Sequence, residues 1–324
     1  MTRPKMFSFD ILTIVLPIFL LIAIGYAAAL SGVLDASVGD ALSKFVNTIL
    51  IPVLLFRTLA TASFDGASPW ALWGAYFSAA GIVWAAATIL SRKLLRREAR
   101  YCVIAGIVSA FSNTALVGIP IISTSFSEVG LVPLFVIMSV HLPSMTIAST
   151  LLMERAAVAD GTKAAAPLGK TLVIITRNLL TNPIVIGIIC AVAWRLTGQP
   201  IPELPANVIK QLAGATIPVA LFSLGMSLRR YGIRGNVAPA ILVSILKVIV
   251  MPALVWTSTT YVFHLPPLWV QVATLTAACP TGVNGYLFAA SFGTGHALSA
   301  NTISLTTATS IVSIGFWMHF VGVM

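Results

Sequence analysis

Ile51-Pro52-Val53-Leu54-Leu55-Phe56 recurs 166 residues later as Ile217-Pro218-Val219-Ala220-Leu221-Phe222, with five of the six positions identical. Apolar six-residue words repeat by chance in a hydrophobic chain, so the weight of the match lies in its position. A helix that crosses a bilayer needs about 20 mostly apolar residues. On that requirement the chain divides into ten segments: 10–30, 41–61, 70–91, 101–124, 129–153, 172–195, 207–228, 236–262, 268–292 and 297–322. The two copies fall in the second and seventh. Between the fifth and sixth lies Glu154 to Lys170, charged and rich in Ala and Gly, which reads as a flexible cytoplasmic linker. Five segments on each side is an odd number, so the second half runs through the membrane in the opposite sense to the first. The expected fold is an all-α polytopic membrane protein: ten transmembrane helices in a 5+5 inverted repeat, with residues 1–153 as the first five-helix repeat, 154–171 as the linker and 172–324 as the inverted second repeat. The alternation that marks barrel strands is missing from these segments.

Composition points the same way. Of 324 residues, 58% are hydrophobic and 9% charged, and the mean hydropathy is +0.99. A soluble domain carries about 25% charged residues, so this chain lacks the polar surface to stay in water. The net charge of +10 would suggest nucleic acid in a soluble protein; here it reports topology. Lys44, the cluster Arg92 to Arg100, Arg155, Lys163, Lys170, Arg177, Arg229, Arg230 and Arg234 fall on one side, and Arg3, Lys5, Arg57, Arg195 and Lys210 on the other. The positive-inside rule puts the first group in the cytoplasm and both termini outside, with no nucleic-acid partner required. Arg3 and Lys5 before an apolar run, with Ala27-Ala28-Ala29 behind it, outline a signal peptide; the run is nonetheless long enough to span, and the repeat needs it as its first helix. Cys102, Cys190 and Cys279 are isolated, which predicts no disulfide framework, metal site or cofactor.

Inverted repeats are typical of secondary transporters, whose sites lie near the midplane and are built from interrupted helices. Two segments fit. The fourth reads Ser112-Asn113-Thr114-Ala115-Leu116-Val117-Gly118-Ile119-Pro120, the ninth Cys279-Pro280-Thr281-Gly282-Val283-Asn284-Gly285. Both combine Pro, Gly, Thr and Asn at mid-depth. The functional reading is a crossed pair of discontinuous helices whose N-termini direct partial positive charge at a ligand. The plainer reading is two Pro-kinked helices whose Asn side chains repair the backbone. Lys247 and His141 sit near the centres of the eighth and fifth segments, where ionisable groups are functional candidates, while every Asp and Glu falls at an end or in a loop. An anionic substrate would neutralise Lys247; snorkelling or pairing with carbonyls is the alternative. His141 is either a packed neutral imidazole or a proton relay. Ser299, Thr302, Thr306, Thr309 and Ser313 form one polar face of the tenth segment, suited to close packing or to lining a path. GxSxG, HExxH and P-loop signatures are missing, which argues against an enzyme.

The Phe45-Val46-Asn47 to Phe56 stretch, the Ser112 to Pro120 segment and the ten-span layout together resemble the auxin efflux carrier family, which includes plant auxin carriers and bacterial malonate or malate permeases. The resemblance covers nearly the whole chain. It implies a scaffold and a transport subdomain, elevator-type alternating access, dimerisation through the scaffold and, for a bacterial member, residence in the inner membrane. It also implies that Asn residues beside two proline-containing breaks contact a substrate carboxylate; Asn113, Pro120, Pro280 and Asn284 are the matching positions. Two features depart from the plant carriers: the long cytoplasmic loop shrinks to Glu154–Lys170, and the third segment, 70–91, carries no acidic residue. The expectation is therefore a transporter of a small mono- or dicarboxylate. Asn113, Thr114, Pro120, Pro280, Thr281, Asn284 and Lys247 form its binding site, and His141 is the candidate relay. A sodium-coupled symporter of bile-acid type and a non-transporting membrane sensor or assembly subunit are the alternatives.

Overall fold

A computed structural model describes residues 9–61, 68–162, 176–177, 180–231, 233 and 235–323. Arg3, Lys5, Lys163, Lys170, Arg234 and the second half of the expected linker lie outside the described residues. Regular structure among the described residues is helical: α1 (Phe9–Leu30), α2 (Ala36–Phe45), α3 (Ile51–Ala60), α4 (Pro69–Lys93), α5 (Ala99–Ala110), α6 (Ile119–Ala159), α7 (Pro183–Leu196), α8 (Glu203–Tyr231), α9 (Ala238–Ile245), α10 (Met251–Thr257), α11 (Pro267–Ala278), α12 (Asn284–Phe292) and α13 (His296–Phe320). This is what a lipid-embedded chain requires, because backbone polar groups in hydrocarbon must be satisfied within the segment. Among the described residues six helical stretches are long and apolar enough to span: Ser37–Ala60, Pro69–Lys93, Thr114–Ala159, Glu203–Arg229, Ala238–Val262 and His296–Phe320. Leu16–Leu30, Ala99–Ala110 and Pro183–Leu196 are apolar but shorter.

Three prolines explain a recurrent local feature. Pro52, Pro120 and Pro252 each stand second in an α-helix that follows a five-residue π-turn, at Val46–Leu50, Thr114–Gly118 and Leu246–Val250. A proline has no N–H and its ring crowds the carbonyl four residues back. Widening the preceding turn makes room without breaking the helix. At Pro252 the freed carbonyl, that of Val248, accepts from Trp317 Nε1 at 3.0 Å.

The 41 residues of α6 would measure about 60 Å if straight, twice the hydrocarbon thickness. They are not straight: Ser127, at φ 57° and ψ −151°, divides them in two. Arg57, at the end of α3, pairs with Glu128 just past this corner. At the far end Asp160 accepts from the backbone N–H groups of Ala99 and Arg100 at 2.8 and 2.9 Å and from Arg100 Nε at 3.4 Å. The start of α5 and the end of α6 therefore share one side. Burial pushes the Asp160 carboxyl up, but these hydrogen bonds outweigh it and hold the group below its ordinary value. The contribution to stability is then present above about pH 4 and fades as pH falls through the lowered value. Asp160→Ala is expected to cost about 1 kcal/mol at neutral pH, read as a lower melting temperature, with the difference from wild type narrowing in acid.

Among the described residues burial divides into two principal apolar cores, which share α6, α11 and α13. One gathers α1, α3, α7 and α8 with the start of α6 and one face each of α11 and α13. The other gathers α4, α5, α9, α10 and α11 with the later part of α6. In the first, α1 and α8 meet backbone to backbone. A Cβ on Gly25 would lie 2.1 Å from the Phe222 carbonyl oxygen, and one on Gly225 would lie 2.0 Å from that of Ile22. Arg229 donates to the Ala29 carbonyl near the end of α1.

Candidate functional site

α5 stops at Ala110 and the next helical turn opens at Thr114. α11 stops at Ala278 and α12 begins at Asn284. The two interruptions lie side by side. Asn113 N donates to the Pro280 carbonyl and Gly282 N to the Phe111 carbonyl, both at 2.8 Å, and Ser112 and Thr281 form an antiparallel bridge. Backbone groups that each helix gave up are thus repaid by the other break, which meets the demand that buried amides and carbonyls be paired. The interruption in the earlier segment is at Phe111–Asn113, not at Gly118–Pro120, where the proline signal pointed. Pro120 lies inside the helix, its turn accommodated as described above. Pro280 is within the second break.

Side chains from elsewhere finish the exposed helix ends. Thr281 Oγ1 donates to the Val108 carbonyl at 2.7 Å, capping the end of α5, and Thr281 N donates to Thr306 Oγ1 at 3.0 Å. Thr306 lies on the buried part of the polar face of α13, with Ser299 and Thr302, so that face packs against the break. Lys247 is fully buried. Its ammonium donates to the Ala277 carbonyl at 2.5 Å, Ser112 Oγ at 2.8 Å and Met251 Sδ at 3.5 Å. Tyr76 OH stands 3.1 Å from the same Ser112 hydroxyl.

A cavity of about 400 Å³ borders the breaks. The breaks and the turns that follow them supply Phe111, Ser112, Asn113, Thr114, Ala115, Gly282, Val283 and Asn284; α6 adds Met138 and His141. α2 and the turn after it supply Asp40, Ser43, Lys44, Asn47 and Thr48, the entry to α7 supplies Asn182, and α8 supplies Ser227. Asn113 Oδ1 accepts from Leu116 N at 3.1 Å, which leaves its Nδ2 as a donor. The first amides of a helix have no intrahelical acceptor, so Ala115, Val283 and Asn284 bring orphan N–H groups and positive dipole ends to one space. His141 is 2% exposed, ringed by Phe111, Tyr76 and Phe77 at centroid distances of 4.9, 5.8 and 6.1 Å, and among the described residues neither ring nitrogen has a hydrogen-bond partner.

Of the residues singled out in the sequence, Asn113, Thr114, Asn284 and His141 line this cavity. Pro120, Pro280, Thr281 and Lys247 do not; the last three hold the breaks from behind. Sequence reasoning passed over Lys44, which it used only as a topology marker. Its signal was slight: Lys44 and Lys210 are also 166 residues apart, but none of the six positions between Lys44 and Ile51 matches its counterpart. Asn47, a polar residue in an apolar segment, was a further pointer.

Residues 10–318 match the model of a family described as membrane transport protein. A protein of Rhizobium meliloti (strain 1021) named "Putative malonate transporter" is 23% identical over 314 residues, covering 94% of each chain. An "Uncharacterized transporter" of Methanothermobacter thermautotrophicus is 24% identical over 303 residues, 94% of this chain and 96% of the relative. With most of its length matched by the family model and its helices apolar enough to span a bilayer, the chain belongs to the auxin efflux carrier family of membrane transport proteins.

Proposed function

We propose that this transporter carries a small organic anion, a dicarboxylate of malonate size, and that it binds this anion in the cavity beside the two breaks. The observation that carries the reading is the convergence of two helix starts, with Asn113 and Asn284, on a cavity that also holds Lys44. One carboxylate sits against the orphan amides of Ala115, Val283 and Asn284 and the side chains of Asn113 and Thr114. The second reaches Lys44 across the cavity. Pro280 and Thr281 act indirectly, through the shape of the break, and Pro120 through the turn after it. His141, with two unpartnered ring nitrogens in the wall, contacts the substrate or its water and is the group through which a proton would pass if uptake is proton-coupled. A volume of about 400 Å³ is within the range of small-molecule sites.

Ten spans in a 5+5 inverted repeat, with α5 to residue 126 as the fourth and α11 with α12 as the ninth, is the topology we assign. Three observations support it. Ser127 splits the long α6, the start of α5 and the end of α6 share one side, and Thr216, just before one copy of the repeated motif, donates to the carbonyl of Leu50, at the equivalent position before the other, at 3.3 Å. Repeat-related residues that touch are what an internal two-fold axis requires. Both apolar cores contribute to the cavity wall, Leu116 and Met138 from the first and Phe111 from the second, and alternating access of elevator type is the motion we assign. The Lys44 end of α2 is on the basic-rich side of the chain, so this is a cytoplasm-facing state, with both termini outside.

The test is thermal unfolding of the purified protein against a panel of compounds. A ligand that binds only the folded state at 100 times its Kd stabilises by about 2.7 kcal/mol. Malonate and similar dicarboxylates are expected to raise the melting temperature, monocarboxylates less. Stabilisation by neutral or cationic compounds alone would overturn the reading.

A further inference from the structure

Lys247 is a buried cation without a counter-carboxylate: among the described residues no Asp or Glu lies within 4 Å of its ammonium. Its charge is met by other means. An ammonium has three N–H donors, and three acceptors surround this one: the Ala277 carbonyl, Ser112 Oγ and Met251 Sδ. Ala277 is in the last turn of α11, where carbonyls carry no intrahelical hydrogen bond and the helix dipole leaves partial negative charge. α5 also ends beside it, one residue short of the Phe111 to Asn113 break that carries Ser112. Carbonyls and hydroxyls at the C-terminal ends of interrupted helices are the ligands that transporters offer to a coupling cation. Here the protein's own side chain occupies that position.

We propose that the Lys247 ammonium is a built-in substitute for a coupling cation. It supplies the fixed positive charge that the two helix ends require, so binding and transport need no sodium or other metal ion. The residue is a positioning residue: it joins Ser112 of one break to Ala277 of the other helix and thereby holds the pair on which Asn113 and Asn284 are mounted. The inference about uptake rests on the transport reading; the inference about cation binding does not, so the two are tested separately.

Two variants separate charge from shape. Lys247→Met removes the charge but leaves the space filled. Lys247→Ala removes both and leaves an opening lined by a carbonyl and a hydroxyl. Melting temperatures are measured for wild type and both variants, without substrate, in sodium, lithium, ammonium and choline chloride at equal ionic strength. Lys247→Ala is expected to melt about 2–4 °C higher in at least one small cation than in choline, with wild type and Lys247→Met indifferent. In proteoliposomes, wild-type malonate uptake is expected to be equal in sodium and choline, and Lys247→Ala uptake to be low in choline and raised by the cation that stabilises it. The proposal is overturned if wild type responds to sodium in either assay, if Lys247→Ala responds to none of the cations, or if it equals wild type in choline. It is overturned equally if Lys247→Met folds while Lys247→Ala cannot be recovered folded in any of these salts. Malonate uptake that is lacking altogether, with the cation response of Lys247→Ala present, would count against the substrate reading and leave the cation inference standing.

Discussion

Uptake of the transported anion is expected to fall by about tenfold to a hundredfold in Asn284→Ala and in Asn113→Ser, and to vanish when the two are combined. A hydrogen bond to a charged group contributes about 1.5–3 kcal/mol, and each 1.4 kcal/mol is a factor of ten. Serine is the better substitution at Asn113. Its hydroxyl still caps the Leu116 amide, as Asn113 Oδ1 does at 3.1 Å, whereas alanine would also remove a helix cap and cost about 1 kcal/mol of stability. The Nδ2 donor is lost in either case. Membrane abundance and melting temperature should therefore stay near wild type while transport collapses. Normal uptake by the double variant would remove both residues from the site.

The second large effect concerns folding. Gly225→Leu should leave little folded protein after extraction, and even Gly225→Ala should lose more than about 3 kcal/mol, because the atom it clashes with is a backbone oxygen that cannot rotate away. The Ile22 carbonyl would be 2.0 Å from the new Cβ, and Gly25 faces Phe222 in the same way. Overpacking usually costs about 1–3 kcal/mol where neighbours can adjust; here α1 and α8 must separate along a contact that anchors one core. Gly81→Ala is the control, since no atom of the described residues lies within 4 Å of its added Cβ. Monodisperse recovery in gel filtration reads the difference. Equal recovery of Gly225→Leu and wild type would contradict the close crossing.

The helical class and the family were legible in the sequence, because lipid leaves few options and length, apolarity and charge bias report them directly. Breaks were legible as regions but not as residues. Proline marked Gly118–Pro120, yet Pro120 is absorbed by a π-turn, as Pro52 and Pro252 are. The real interruption at Phe111–Asn113 arises from pairing with Pro280 to Gly282, a contact across some 170 positions that no local pattern encodes. Likewise, a central lysine in an apolar segment pointed to function, but only the fold shows that Lys247 faces Ala277 and Ser112 from behind. Lys44 was hidden for the opposite reason: a lysine near a helix end reads as a topology signal until the helices opposite it are in place.

Labelled malonate uptake by the purified protein in proteoliposomes tests the central claim most directly. The account predicts saturable uptake, competed by other small dicarboxylates, absent from protein-free vesicles, and with a raised KM in Lys44→Gln. Vesicles that contain folded protein yet take up neither malonate nor any other small carboxylate, from either face, would contradict it.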